Sequence, residues 1–192
     1  PGNFCAQLGV DRYGHTATYI PSIGRVLIVG GRTTCSTGTT CVFPDGEERG
    51  VTDAVSAELF DPSTGVFEAI ANPPGGGRAF HSATLIGTGT VLVAGGRYFN
   101  DDLGSEDVSG KAVLFSGAKY LESLTDDSVN PWGSMITMGD GGQLARAHHG
   151  AIAVPGENRV VLAGGVARTA NGSAFPDLGL EVVGIGTALP TV

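Results

Sequence analysis

The stretch Arg78-Ala79-Phe80-His81-Ser82-Ala83-Thr84, followed by an apolar run over 91–94 and the pair Gly95-Gly96, decides the fold of this chain. The same order of residue types opens two further segments, at 12–18 and 146–152, whose apolar runs end at 30–31 and 164–165 in glycine pairs. The arginine precedes the first glycine by 18, 17 and 18 residues, and the arginines are 66 and 68 residues apart. Several residue types at fixed offsets, three times over, indicate a repeat protein.

Short apolar runs between turn residues predict strands in every repeat. In the second repeat the strands are expected at 81–86, 91–94, 111–115 and near Trp132, and in the third repeat the third strand is expected at 180–183. In the first repeat, strands at 57–60 and 66–68 flank Asp61-Pro62-Ser63-Thr64-Gly65, where proline presets the turn and glycine takes the left-handed position. No sustained 3.6-residue periodicity is present, and the 32 glycines suit many turns, so we expect an all-β chain with almost no helix.

Four short antiparallel strands form a small twisted sheet that cannot bury both faces alone. The second strand of each repeat is apolar at nearly every position, which is typical of a sheet covered on both faces. Stacking such sheets face to face solves the problem, and the glycine pair lets the end of the second strand pass close to a neighbour.

The Arg-x-x-His start, the glycine pair and the Ala-Glu-Leu-Phe-Asp-Pro-Ser-Thr-Gly turn at 57–65 resemble kelch repeats, in the variety of bacterial extracellular proteins. The resemblance covers about residues 12–192. It implies a kelch-type β-propeller with about three four-stranded antiparallel blades of an incomplete ring, because propellers close with about four to eight blades. The chain would be a single partial propeller domain, 1–192, with blades at about 12–74, 78–140 and 146–192.

The chain departs from the usual kelch repeat in its period. The arginine spacing exceeds the period of about 50 residues because the connection after the second strand is long, at 32–53, 97–110 and 166–179. These insertions occupy equivalent positions, so we expect them to project on the same side of the molecule.

Residues that recur identically in each repeat serve the repeat rather than catalysis. We expect the histidines to be buried and hydrogen-bonded near strand starts, and the arginines to donate hydrogen bonds between repeats. No catalytic residue is assigned. The structural repeat residues are Arg12, His15, Gly30, Gly31, Arg78, His81, Gly95, Gly96, Arg146, His149, Gly164 and Gly165.

Two of the three cysteines, Cys35 and Cys41, lie six positions apart in a Thr/Ser/Gly-rich segment without histidine. A zinc site needs more ligands, so a small hairpin disulfide is the better interpretation. A disulfide indicates an oxidising compartment, which places the protein in the extracellular space, in the periplasm or at the cell surface. Cys5 has no evident partner.

Charge and hydropathy narrow the partner classes. The net charge of −8 disfavours nucleic acid, and no apolar stretch is long enough to predict a membrane span. Asp101, Asp102, Glu106 and Asp107 crowd one connection, which is either a calcium site of oxygen ligands or a solvated acidic loop. No other cofactor is predicted.

Varied loops on a repeated scaffold favour recognition. The predicted function is a non-catalytic secreted or cell-surface kelch propeller, a scaffold that binds proteins, other copies of itself or glycans through long acidic loops on one face. The alternative is a fragment of a galactose-oxidase-like copper oxidase or another carbohydrate-active kelch enzyme. Whether the chain is an enzyme stays open, although it has no Gly-x-Ser-x-Gly or His-Glu-x-x-His motif.

Overall fold

The chain is built of antiparallel sheets, and each of the three repeats contributes one main sheet. The computed structural model describes residues 8–34, 41–42, 48–49, 51–100, 105–139, 145–168, 174–176 and 179–184. Within them lies one short helix, so the expectation of an all-β chain with almost no helix is confirmed.

The first main sheet has the strand order β1-β2-β7-β8. Its last turn uses the predicted signal: the Asp61 carboxylate accepts the Ser63 N–H at 2.8 Å, and Gly65 has a φ of 73°. The strands of the first repeat are β1 (Thr16–Ile20), β2 (Arg25–Val29), β3 (Arg32–Thr34), β4 (Cys41–Val42), β5 (Glu48–Arg49), β6 (Val51–Asp53), β7 (Ala57–Asp61) and β8 (Val66–Ile70).

The second main sheet has the order β14-β13-β10-β9. The helix lies between β13 and β14 in the chain. Its elements are β9 (Ser82–Ile86), β10 (Thr90–Ala94), β11 (Arg97–Asn100), β12 (Ser105–Val108), β13 (Lys111–Ser116), α1 (Gly117–Ser123) and β14 (Ile136–Thr137). The Ser116 hydroxyl caps α1 by accepting the Lys119 N–H. Trp132, where the fourth strand was expected, forms an isolated bridge with Phe115. The fourth strand itself, β14, lies a few residues later in the chain.

The third main sheet has the order β15-β16-β19 in the described part of the repeat. The strands are β15 (Gly150–Ala153), β16 (Arg159–Ala163), β17 (Val166–Arg168), β18 (Ala174–Pro176) and β19 (Leu180–Gly184).

The main sheets pack face to face, and the second strand of the middle sheet is buried on both sides. Val91 and Val93 join a core with the first sheet, whereas Leu92 and Ala94 join a core with the third. All four are fully buried, and burying a side chain such as valine or leucine contributes about 1.5–3 kcal/mol. The stacking therefore rests on the apolar second strands that the sequence marks.

Candidate binding rim

Main-chain hydrogen bonds join each repeat to the next at the glycine pair. The N–H of Gly31 donates to the carbonyl of Arg78 at 2.8 Å, and that of Gly96 donates to Arg146 at 2.8 Å. A Cβ on Gly30 would lie 2.3 Å from the Arg78 carbonyl oxygen, which no substituted residue could tolerate. The first glycine of the pair is thus required by the neighbouring repeat.

The repeated histidines also connect neighbouring sheets. His81 Nε2 and the Thr16 hydroxyl form a hydrogen bond of 2.9 Å, and His149 Nε2 and the Ser82 hydroxyl form one of 2.8 Å. Of the three repeated histidines, which were all expected to be buried, His81 is buried and His15 and His149 are half-buried.

His81 is uncharged at neutral pH. Burial above all, with the charge of Arg78 second, lowers the pKa of His81 from 6.5 to about 3. A neutral imidazole can form its inter-repeat hydrogen bond without adding a buried charge.

The NH1 group of each repeated arginine donates to two carbonyls of its own repeat. The preceding repeat is reached through the main-chain carbonyls of Arg78 and Arg146, which accept from glycines, and through Arg78 NH2, which donates to the Pro74 carbonyl at 3.5 Å. The NH1 acceptors are Gly30 and Ser56 for Arg12, Gly95 and Lys111 for Arg78, and Gly164 and Gly179 for Arg146.

Gly14, Phe80 and His148 occupy the same position in the three repeats, and all have left-handed backbone, with φ of 65°, 58° and 56°. The N–H of Phe80 donates to Gly14 at 2.8 Å, and that of His148 donates to Phe80 at 2.9 Å. The Phe80 and His148 rings stack at 4.4 Å between centroids. Left-handed backbone costs a residue with a side chain on the order of 1 kcal/mol or more, so the surrounding hydrogen bonds impose it.

The long connections are hairpins placed side by side. In the described residues, β3 pairs with β6, β11 with β12, and β17 with β18. The first residue of each hairpin forms an isolated β-bridge with the residue that follows a repeat arginine. Those partner residues are Tyr13, Ala79 and Ala147. Strand β6 contacts β11, and β12 contacts β17, so the three hairpins form one row.

Charged side chains form ion pairs within and between the first two hairpins. Arg32 Nε donates to Asp53 at 2.9 Å, Arg32 NH1 contacts Glu106, and Arg97 NH1 lies 3.1 Å from Glu106. The other Asp53 oxygen accepts the Phe99 N–H at 2.7 Å.

These contacts shift the acid–base behaviour of the cluster. Burial alone would raise the pKa of Glu106, but Arg32 and then Arg97 lower it below its ordinary value. Burial alone would lower the pKa of Arg32, yet Asp53 and Glu106 raise it. Arg32 and Glu106 are therefore charged at neutral pH.

The binding rim is defined here as Tyr13, Phe80, His148, Arg32 and Arg97 together with the hairpin row. Arg32 lies 5.8 Å from the Phe80 ring centroid, within cation–π range, and Tyr13 meets the Phe80 ring edge-on at 6.4 Å. His148 and Tyr13 are exposed. Burial first, then Arg97 and Arg32, lowers the pKa of His148.

Some of the predicted disulfide and calcium residues are described by the structure, and others are not. Cys35, Asp101 and Asp102 lie outside the described residues, as does the side chain of Cys41, so the disulfide and the full calcium loop stay predictions. Glu106 binds two guanidinium groups, and Asp107 accepts the Val108 N–H at 2.8 Å. Among described residues, no group of three or more His, Cys, Asp or Glu side chains could hold a metal ion.

No family model matches the chain, and no curated protein matches it. No helix in the described ranges has the length and apolar character that a membrane crossing needs.

Sequence reasoning missed the aromatic and ionic members of the rim. Phe80 and His148 could have been found from Gly14, because glycine at one copy of a repeated position is a signal of left-handed backbone. The contacts of Arg32 and Arg97 with Glu106 had no local signal, since they depend on how neighbouring hairpins are placed.

Proposed function

We propose that the three main sheets are consecutive blades of a kelch-type β-propeller that serves as a non-catalytic binding module at the cell surface or outside the cell. Strand β9 contacts both β1 and β15, so the first strands of the sheets lie next to one another. This placement supports a ring in which first strands surround an axis.

The uncovered face of the third sheet also supports a ring. By register, Val161 and Ala163 correspond to Leu92 and Ala94, which pack on the following sheet. On the third sheet Ala163 is exposed, as are Ile152 at 67% and Val182 at 50%. A further sheet of the same kind would bury this face as the third sheet buries its counterpart on the second.

The stacked pair Phe80–His148 carries the proposal of binding. Its rings stand on backbone that main-chain hydrogen bonds hold in a left-handed conformation, next to the guanidinium groups of Arg32 and Arg97. Aromatic and arginine side chains dominate binding energies at interfaces, and side chains already fixed in place lose little entropy on association. The partner classes that suit this rim are another protein, a second copy of this chain, or a glycan.

The test measures self-association by sedimentation velocity and glycan binding on an array for the wild type and two variants. Phe80→Gly and His148→Gly remove the rings while keeping a residue suited to left-handed backbone, as Gly14 does in the first repeat. Lys119→Ala, at an exposed position of α1, is the control.

We expect the wild type and Lys119→Ala to bind in at least one assay, and both glycine variants to bind at least about tenfold more weakly, since each loses one anchor side chain. Retained binding in folded glycine variants, or no binding by the wild type in either assay, would contradict the proposed rim.

A further inference from the structure

The first repeat pairs its buried arginine with a carboxylate. Arg12 NH2 lies 2.5 Å from Glu58 Oε1, and both side chains are almost fully buried. Glu58 is on β7, opposite Ile28 of β2. The Ser56 hydroxyl accepts a second bond from the same NH2 at 2.8 Å.

The second repeat lacks this carboxylate. The register places Val113 at the position of Glu58, whereas the third repeat has Glu181 there. No carboxylate among the described residues pairs with Arg78, although Arg78 is only 2% exposed.

The remaining contacts of Arg78 satisfy its guanidinium poorly. NH1 and NH2 donate to four carbonyls at 3.2–3.5 Å, and Nε has no hydrogen-bond partner. Burial lowers the pKa of Arg78, with no opposing carboxylate. A buried, unpaired cation is costly, and an anion beside it recovers much of that cost.

A cavity of about 280 Å³ adjoins this guanidinium. Its lining includes Arg78, Lys111, Tyr98 and Met135, and none of the described lining residues is acidic. A Cβ on Gly75 would lie 2.7 Å from Arg78 NH2 and 2.8 Å from Met135 Sδ. The missing side chain of Gly75 therefore keeps space open between the guanidinium and the thioether.

We propose that this cavity binds a small organic carboxylate, which gives Arg78 the counter-charge that Glu58 gives Arg12. Lys111 also lines the cavity, with its ammonium donating to the Thr137 hydroxyl at 2.8 Å. Tyr98 and Met135 provide surface for an apolar or ring-shaped body. The volume exceeds the roughly 30 Å³ occupied by one water, so it admits more than a single small ion. The site stands on Arg78 and its cavity, and does not depend on the binding rim.

The test is a calorimetric titration of the full chain with benzoate at constant ionic strength. Benzamide, which has the same ring and no charge, is the matched ligand control. Arg78→Met removes the cation, and Gly75→Ala fills the space beside NH2. Arg159→Met makes the same substitution at an exposed arginine that pairs with Glu157.

We expect saturable binding of benzoate, but not of benzamide, to the wild type and to Arg159→Met. Loss of a charged hydrogen bond predicts on the order of tenfold to a hundredfold weaker binding in Arg78→Met. Gly75→Ala should also weaken binding, because its Cβ would occupy the space beside NH2 that the carboxylate needs. If Arg78→Met does not fold, Gly75→Ala decides the question.

Three results would overturn the proposal: no benzoate binding by the wild type, unchanged binding in folded Gly75→Ala, or equal binding of benzamide. Chloride or phosphate that competes as strongly as benzoate would also overturn it, because the site would then select charge and not a carboxylate ligand.

Discussion

Two features recur along the three repeats: the contacts between neighbouring main sheets, called the joints here, and the row of hairpins. They are held by different forces. The joints use main-chain hydrogen bonds, a histidine that bonds to the preceding sheet, and apolar strands, as at Gly31, His81 and Val91. The first two hairpins are joined by the ion pair of Arg32 with Glu106 and by the Asp53 carboxylate, which accepts the Phe99 N–H. The joints should therefore tolerate salt but not added volume, whereas the hairpins should tolerate substitution but respond to salt.

The largest effect is expected from added volume at a joint. Gly95→Ala would place a Cβ 2.4 Å from the Arg146 carbonyl oxygen, at a φ of 67°. We expect a loss of about 3 kcal/mol or more in the free energy of unfolding, because overpacking adds to the left-handed strain. Urea unfolding measures it.

Gly87→Ala is the matched control for this prediction. Gly87 has a similar φ of 60°, but a Cβ there would meet nothing within 4 Å. Gly87→Ala should lower the free energy of unfolding by only about 1–2 kcal/mol, which is the cost of left-handed backbone at alanine. Equal losses in the two variants would show that the joint is not tightly packed.

The second effect is the pH dependence of the joint at His81. The folded pKa of about 3 lies below the ordinary 6.5, so the unfolded chain binds the proton first as the pH falls. The stability contributed by the neutral histidine is fully present above pH 6.5 and is lost as the pH falls towards 3, by at most about 1.4 kcal/mol per pH unit.

His81→Ala should remove this dependence and cost about 1–3 kcal/mol at pH 7. Thr16→Val, which deletes the hydrogen-bond partner but keeps the histidine, should retain the slope. Unfolding free energies at pH 7 and pH 4.5 measure both. A His81→Ala variant with the wild-type slope would assign the pH dependence to other groups.

The smallest effect is expected in the hairpin row. Arg32→Met should cost about 1–2 kcal/mol, because Arg32 is mostly buried and contacts both Asp53 and Glu106. The loss should shrink in 1 M salt, where charges are screened over about 3 Å. Arg159→Met, at an exposed pair, should change stability by less than about 0.5 kcal/mol. A salt-independent loss at Arg32 would mean that the hairpins are joined by packing, as the sheets are.

The strands were largely predictable because each depends on local signals. The turn at 61–65 forms as the proline and glycine indicate, and the second strands end at the glycine pairs. The hairpins within the long connections were missed, since their side chains show little alternation. Helix α1 was also missed, because seven residues are too few to show a helical period.

The candidate site was less predictable than the fold. The sequence singled out Arg78 as a structural repeat residue and Glu106 as a candidate calcium ligand, but it did not indicate which side chains lie next to them. Glu106 contacts two arginines, and its role as a calcium ligand stays a prediction. Arg78 was one of three equivalent arginines, and its difference from Arg12 depends on which residue lies opposite the second strand.

The sequence by itself determined the repeat, the main strands and their turns, because periodicity, proline and glycine act within a few residues along the chain. The tertiary structure alone decided that Phe80 stacks on His148 and that Arg32 contacts Glu106. It also decided that Arg78 is buried in a repeat that has Val113 at the position of Glu58 in the first repeat. Each of these contacts joins residues distant in sequence. Their charge and packing energies depend on distance and burial, which exist only once the sheets have stacked.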